Sequence, residues 1–397
     1  MLTAQTKAGI IVCLANQQSK EQLLRLRNQE EFICPLCGES VLLKLGEQRI
    51  FHFAHKSSHT CQEAYERETV THLEGKLQLY QWFIRQRIPC ILEYYDKEIG
   101  QRPDIMFQYQ GKKYALEFQC SPIPETIFTK RTNSYLEYDY TPLWILSYHH
   151  LQFNFREIVS LSNFHYLFLR TSAANYFYIP AYCPKDRKFH IFNSITPYSI
   201  KNAFVRHSSF TIENTTIQNI LMPNTRQYRP EFSSWAREIE NYSLKWGLHA
   251  GASNNSFLQE LYRHHLNLFL LPPELGLPVT HSFYIYTAPI IWQTYLYLDL
   301  IANKNPGDII TIKELTWKVN KRISTKEITL RRLPQLEQSD PMVPIIEYIQ
   351  QLIALGILTR KSATACQLNR KIHIPLSNRE KEEAKQFFQQ KYKQFLI

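Results

Sequence analysis

Glycine is scarce in this 397-residue chain, at 11 residues, so long flexible linkers between domains are not expected. The eight cysteines (Cys13, Cys34, Cys37, Cys61, Cys90, Cys120, Cys183 and Cys366) are scattered, with one close pair. That distribution excludes the disulfide framework of a small secreted domain. No run approaches the roughly 18 apolar residues of a membrane-spanning helix. The start, MLTAQTKAGIIVCLA, has neither a cationic stretch nor a cleavage region, so no secretory leader is predicted. Together these absences point to a cytoplasmic protein in a reducing compartment. Acidic residues are in deficit too: 46 Lys and Arg face 35 Asp and Glu, a net charge of +11. Such an excess favours a polyanionic partner, nucleic acid first.

Aromatics are plentiful, with 24 Tyr and 23 Phe, and the hydrophobic share of 44% supports a real core. At about 100–200 residues per domain, the length suggests two to three domains. Residues 1–60 read as short strands, GIIVCLA and SVLLKLG, around a short helix in SKEQLLRLRNQEEF. Residues 61–88 read as one helix with Leu73, Leu77 and Ile84 on its apolar stripe and Glu68, His72 and Lys76 beside it at i, i+4 and i+8. After Pro89 come the strands CILEYY, DIMFQYQ and KYALEFQC, the last two joined at Gln110-Gly111. A helix over about 124–139 and the strand LWILSY complete a compact α/β unit. Residues 150–230 are aromatic and of mixed character, and 231–270 read as helical up to the break LPPELGLP.

Cys34-x2-Cys37 and, fourteen residues on, His52-x2-His55 have the pair-gap-pair spacing of a tetrahedral zinc site. Pro35 and Gly38 suit a tight knuckle, and the gap is long enough for a hairpin. Cys61 and His59 are alternative ligands. A closed site of this kind in a short segment is structural and holds the fold together.

A second constellation lies in QRPDI and KKYALEFQCSPI. Residues two apart on a strand share a face, so Glu117 and Gln119 point one way and Leu116 and Phe118 into the packed layer. A hairpin brings Asp104 close to the end of the next strand. Carboxylates inside apolar strands are costly to bury unpaired. Two readings stay open: Asp104, Glu117 and Gln119 converge as oxygen ligands of a Mg²⁺ ion, or they belong to a salt-bridged strand, with Asp104 and Arg102 as a local turn pair.

The helix, the strand hairpin, Pro103-Asp104 and Glu117-x-Gln119 resemble the PD-(D/E)XK nuclease superfamily, with glutamine in place of its lysine. More specifically, four stretches resemble the bacterial competence protein CoiA family: CPLC…HFAH, ERETVTHLEGKLQLYQWF, RPDI…YALEFQCSPI and KRTNSYLEYDYTPLWIL. The later LPPELGLPV…IIWQTYLY is similar to its C-terminal part. The resemblance implies a PD-(D/E)XK nuclease-like α/β core that acts on incoming DNA in natural transformation, using Mg²⁺ or Mn²⁺, with recombination proteins as further partners. Carried onto this chain, Asp104 and Glu117 are metal ligands, Gln119 takes the water-positioning place, and His72, Lys76, Glu93 and Arg131 surround them. Lys76 or Lys130 could replace the missing cation. The glutamine keeps a second function open, a DNA-binding recombination accessory factor that does not cut. A restriction-like defence nuclease is a third.

The expected domains are therefore a zinc-knuckle region (1–60), a nuclease-like domain (61–155) and an aromatic-rich, mostly helical domain (156–397). Within the last, 283–375 runs helix, helix, helix, hairpin, the order of a winged-helix module. Its third helix, in PMVPIIEYIQQLIALGI, carries little positive charge, which argues against major-groove readout. LTRKSA and LNRKIH would face phosphates instead. From residue 357 onward, nine Lys and Arg against three Glu give +6.

Overall fold

A computed structural model describes residues 1–16, 19–47, 50–56, 68–155, 157–172, 174–224, 228–249, 254–336 and 340–392. The N-terminal region is a five-stranded sheet in the order β2-β1-β3-β4-β5, all pairs antiparallel. Its strands are β1 (Thr3–Thr6), β2 (Ile11–Cys13), β3 (Phe32–Ile33), β4 (Ser40–Lys44) and β5 (His52–His55), with α1 (Lys20–Gln29) between β2 and β3. Ser19 and Gln22 cap α1 reciprocally, each side chain accepting from the other's backbone N–H. Leu23 of α1 packs with Phe32, Val41, Leu43 and Phe53 in a small core of its own.

The central body begins with α2 (Val70–Arg85), whose first turn is capped by the Thr69 side chain accepting from the His72 N–H. Strands β6 (Cys90–Leu92), β7 (Ile105–Tyr109) and β8 (Lys112–Gln119) form an antiparallel ribbon. Gln110 and Gly111 both take positive φ, 50° and 77°, as a two-residue hairpin turn requires. Helix α3 (Glu125–Glu137) then crosses to β9 (Tyr140–Ser147), which lies parallel to β8. Leu73, Leu79, Trp82 and Phe83 of α2 pack on Phe107, Leu116 and Phe118. Phe128 and Trp144 belong to the core on the α3 side. Ile84, read as part of the apolar stripe, faces solvent instead; the buried stripe runs through Trp82 and Phe83 and includes Lys76.

The sheet does not stop at residue 155. Strands β10 (Gln152–Phe155), β11 (Ile158–Ser160), β12 (Arg170–Thr171), β13 (Phe177–Cys183), β14 (Lys188–Pro197) and β15 (Asn202–Thr211) extend it to ten strands. Short helices α4 (Asn163–Tyr166) and α5 (Ile217–Leu221) accompany them. The path is β10-β11-β15-β14-β13-β9-β8-β7-β6, with β12 on β13 and β13 parallel to β9. The expected boundary at 155/156 thus falls inside one hydrogen-bonded sheet, and the expected mostly helical character begins only after α5. The physical reason is burial on both faces: β13 and β14 are almost continuously buried, so their sequences show no period-2 alternation.

The helical part contains α6 (Phe232–Gly247), α7 (Ser256–Arg263), α8 (Pro289–Leu300), α9 (Ile312–Ser324), α10 (Met342–Ala354) and α11 (Asn378–Tyr392). Trp235, Trp292, Tyr295, Tyr348 and Leu352 are in its core. From α8 the order is helix, strand β16 (Ile309–Thr311), helix, helix, then the hairpin β17 (Leu358–Ser362) and β18 (Ala365–Leu368), paired as β16-β18-β17. Arg331 ties this part to the sheet by donating to the carbonyls of Ile200, Phe283 and Ile285.

Candidate active site

Register aligns three carboxylates across the central ribbon. Leu92 pairs with Ile105, and Ile105 with Leu116. One step beyond those pairs, Glu93 lies beside Asp104 and Asp104 beside Glu117. The Glu93 N–H donates to the Asp104 carbonyl at 2.9 Å, which confirms the first pairing. Glu93 has left the strand conformation, with φ of 48°.

Two networks hold these acids. In the first, Lys76 is 1% exposed and its ammonium contacts Glu68 and Glu93 and lies 3.6 Å from Asp104. Glu93 also accepts from the N–H groups of Leu2 and Thr3 at 2.9 Å and from the Thr3 hydroxyl at 3.0 Å, which fastens β1 to the central body. Asp104 Oδ2 accepts from the Phe118 N–H at 2.8 Å and lies 3.2 Å from His72 Nε2. His72 and Lys76, one helical turn apart on α2, therefore face the same acid. Burial pushes the Asp104 carboxyl up, but His72 and Lys76 outweigh it and hold the group at about 2. Glu93, opposed by the same burial and pulled by Lys76, also lies at about 2.

In the second network, α3 faces Glu117. Arg131 Nη2 and the Tyr135 hydroxyl both donate to Glu117 Oε1, while Arg131 Nε donates to Gln101 Oε1 at 3.1 Å. Glu117 Oε2 accepts no hydrogen bond among the described residues. Burial pushes the Glu117 carboxyl up to about 7, against the attraction of Arg131 and with help from the Asp104 charge. Two neighbouring carboxyls are thus driven apart in proton affinity, the pattern of sites that hold and move protons.

Asp104 and Glu117 come together, but the Gln119 amide donates to the Ser121 carbonyl at 2.8 Å. Lys76 is buried and clamped between Glu68 and Glu93, whereas the Arg131 side chain is only partly buried. Tyr135, Gln101 and Glu68 complete the networks without having been singled out as site residues. Tyr135 was reachable from spacing alone, since it follows Arg131 by one helical turn.

In the N-terminal sheet, Cys34, Cys37 and His55 bring their ligand atoms within 4.8 Å of one another. A knuckle forms the corner: Gly38 N–H donates to the Cys34 carbonyl at 2.9 Å, with Gly38 at φ of 73°. The β4–β5 pairing sets His55 beside Val41, so Cys37 Sγ lies 3.3 Å from His55 Nε2. His52, expected as the fourth ligand, pairs with Lys44 at the far end of β5, and its Nδ1 lies 2.9 Å from the Ile50 carbonyl. Strand residues three apart face opposite sides, so a strand cannot present both histidines to one ion. Cys61 and His59 lie outside the described residues. Two thiols and an imidazole are a donor set that suits a zinc ion.

Three family descriptions match in chain order. Residues 15–64 match "Competence protein CoiA, N-terminal domain", 68–225 the "nuclease-like domain" and 231–381 the "C-terminal domain" of the same family. The match over 68–225 takes in the whole ten-stranded sheet, whose last strand ends at Thr211. The competence protein CoiA of Bacillus subtilis (strain 168) is 29% identical over 360 residues, covering 90% of this chain and 93% of the relative. No solved structure matches the chain. The chain belongs to the competence protein CoiA family. Among the described residues, no helix is long and apolar enough to cross a membrane.

Proposed function

We propose that this competence protein CoiA family member is a Mg²⁺- or Mn²⁺-dependent nuclease acting on incoming DNA during transformation and recombination. The observation that carries the reading is the opposition of Asp104 and Glu117 across β7 and β8, with Glu117 Oε2 accepting no hydrogen bond among the described residues. An oxygen donor set of this kind suits a hard divalent cation. Bound there, it would polarise a scissile phosphate and acidify a water. The partly exposed Arg131 side chain would offer its guanidinium to a phosphate oxygen, and Glu117, pushed up to about 7, holds or releases a proton at working pH. Zinc on Cys34, Cys37 and His55 would be structural.

A second reading is a DNA-binding recombination accessory factor that does not cut. It is favoured by Gln119, whose amide is engaged with Ser121, and by Lys76, which is committed to Glu68 and Glu93. Neither supplies the free cation that the superfamily's lysine provides.

A cleavage assay separates the two. Labelled single-stranded, duplex and branched DNA is incubated with wild type and Glu117→Ala, with Mg²⁺ or Mn²⁺ and then with chelator. Metal-dependent cutting by wild type alone supports the nuclease. Binding by both proteins with no cutting on any substrate transfers the assignment to the accessory factor.

A further inference from the structure

Helix α9 presents an exposed stripe of Lys313, Trp317, Asn320, Lys321 and Ser324, at i, i+4, i+7, i+8 and i+11. Trp317 is 59% exposed although an indole is among the costliest side chains to leave in water. Its ring is not bare: the ammonium of Lys318 stands 5.3 Å from the centroid and that of Lys321 5.7 Å. No carboxylate pairs with Lys313, Lys318 or Lys321 among the described residues, whereas Glu314 on the same helix pairs with Lys304. The opposite face, Leu315, Val319 and Arg322, is buried, so the helix is fixed and the stripe is a rigid surface. The hairpin is fixed beside it: Ile312 N–H donates to the Thr364 carbonyl at 2.8 Å, and β17 carries exposed Arg360 and Lys361.

We propose that Trp317, with Lys313, Lys318 and Lys321, is a binding site for single-stranded nucleic acid, separate from the Asp104–Glu117 site. The ligand follows from the chemistry. An indole standing off a helix between unpaired cations suits an unstacked base with phosphates on either side, the combination that single-strand binding surfaces use. Duplex DNA keeps its base faces stacked and offers the indole nothing. Duplex recognition by this module would instead fall to α10, and the segment Met342–Ala354 contains no Lys or Arg. The unpaired lysines disfavour a basic or neutral peptide and match a polyanion. The site takes the strand itself and makes no bond; its role is retention and register of a single strand.

The test uses the full chain with Glu117→Ala in every protein, so the outcome is independent of whether the other site cuts. Affinity for labelled oligothymidylate and for a duplex of equal length is read by anisotropy at two salt concentrations. The expected result is that Trp317→Ala weakens single-strand binding about tenfold, Trp317→Phe retains most of it, and duplex binding moves much less. Lys318→Gln with Lys321→Gln should lower the salt dependence of single-strand binding. The proposal is overturned if Trp317→Ala matches its parent on the single strand, if the parent does not bind it, or if both DNA forms weaken equally. Because Trp317 is exposed, the variants should melt with the parent; the lysine pair gives a second readout should the alanine variant melt early.

Discussion

A β-carbon added at Gly75 of α2 would lie 2.1 Å from Cε1 of Phe118 on β8. Glycine in a helix interior ordinarily costs about 1 kcal/mol relative to alanine; here it lets the helix press directly onto the strand that carries Glu117 and Gln119. Gly75→Ala is therefore expected to destabilise the protein by about 1–3 kcal/mol through overpacking. The gain in helix propensity offsets only part of this. Urea unfolding measures it. An unchanged midpoint would mean the helix and strand are not held this close.

Lys76 is shared by Glu68, Glu93 and Asp104. Lys76→Met leaves carboxylates buried without it, with an expected loss of about 3–5 kcal/mol. The pH dependence has a definite sign. Glu93 and Asp104 lie at about 2 when folded, below the ordinary carboxylate range. Their stabilisation is complete above that ordinary range and is lost as pH falls through about 2. Without Lys76, burial raises the folded pKa of both acids, so the loss of stability on acidification should shrink, read by urea midpoints at pH 7 and pH 3.

Glu117 runs the other way. Its folded value near 7 lies above the ordinary 4.5, so its contribution to stability is complete below about 4.5 and declines as pH rises through 7. Glu117→Gln should flatten that decline, compared by urea midpoints at pH 5 and pH 8. In the same window, metal-supported cleavage should rise with pH as the carboxylate forms. At subsaturating metal, where the ion must displace the proton from the carboxylate, a profile flat from pH 6 to 8 would sink the assignment of Glu117 as a metal ligand.

For the cysteine–histidine cluster, Cys37→Ser and His55→Ala should each reduce retained zinc. His52→Ala should not, because His52 lies at the other end of β5. Zinc content after gel filtration and the visible bands of the cobalt-substituted protein measure this directly. Zinc loss on His52→Ala equal to that on His55→Ala would place the ligands otherwise.

Much of the fold could be read locally. Strands β7 to β9, the hairpin at Gln110-Gly111, α3, the helices α8 to α10 and the β17–β18 hairpin follow from period, turn chemistry and capping, all short-range, whereas β16 between α8 and α9 was not expected. The sheet beyond residue 155 could not, because strands buried on both faces lose the alternation that identifies them. At the site, residue types and spacing singled out Asp104 and Glu117, and the family resemblance added His72, Lys76, Glu93 and Arg131, but neither told how they divide. Which cation serves which carboxylate depends on where α2 and α3 cross the sheet, a long-range matter.

By itself the sequence determined the chemistry available: a basic chain, acids at the ends of apolar strands, and thiols at knuckle spacing. Tertiary structure alone decided the allocation. Packing of Gly75 on Phe118 buries Lys76 between Glu68 and Glu93, the crossing of α3 gives Arg131 and Tyr135 to Glu117, and strand pleat gives the thiols His55 and withholds His52. A side chain's type fixes what it can bind, whereas its burial and neighbours fix whether it carries charge and what it can reach.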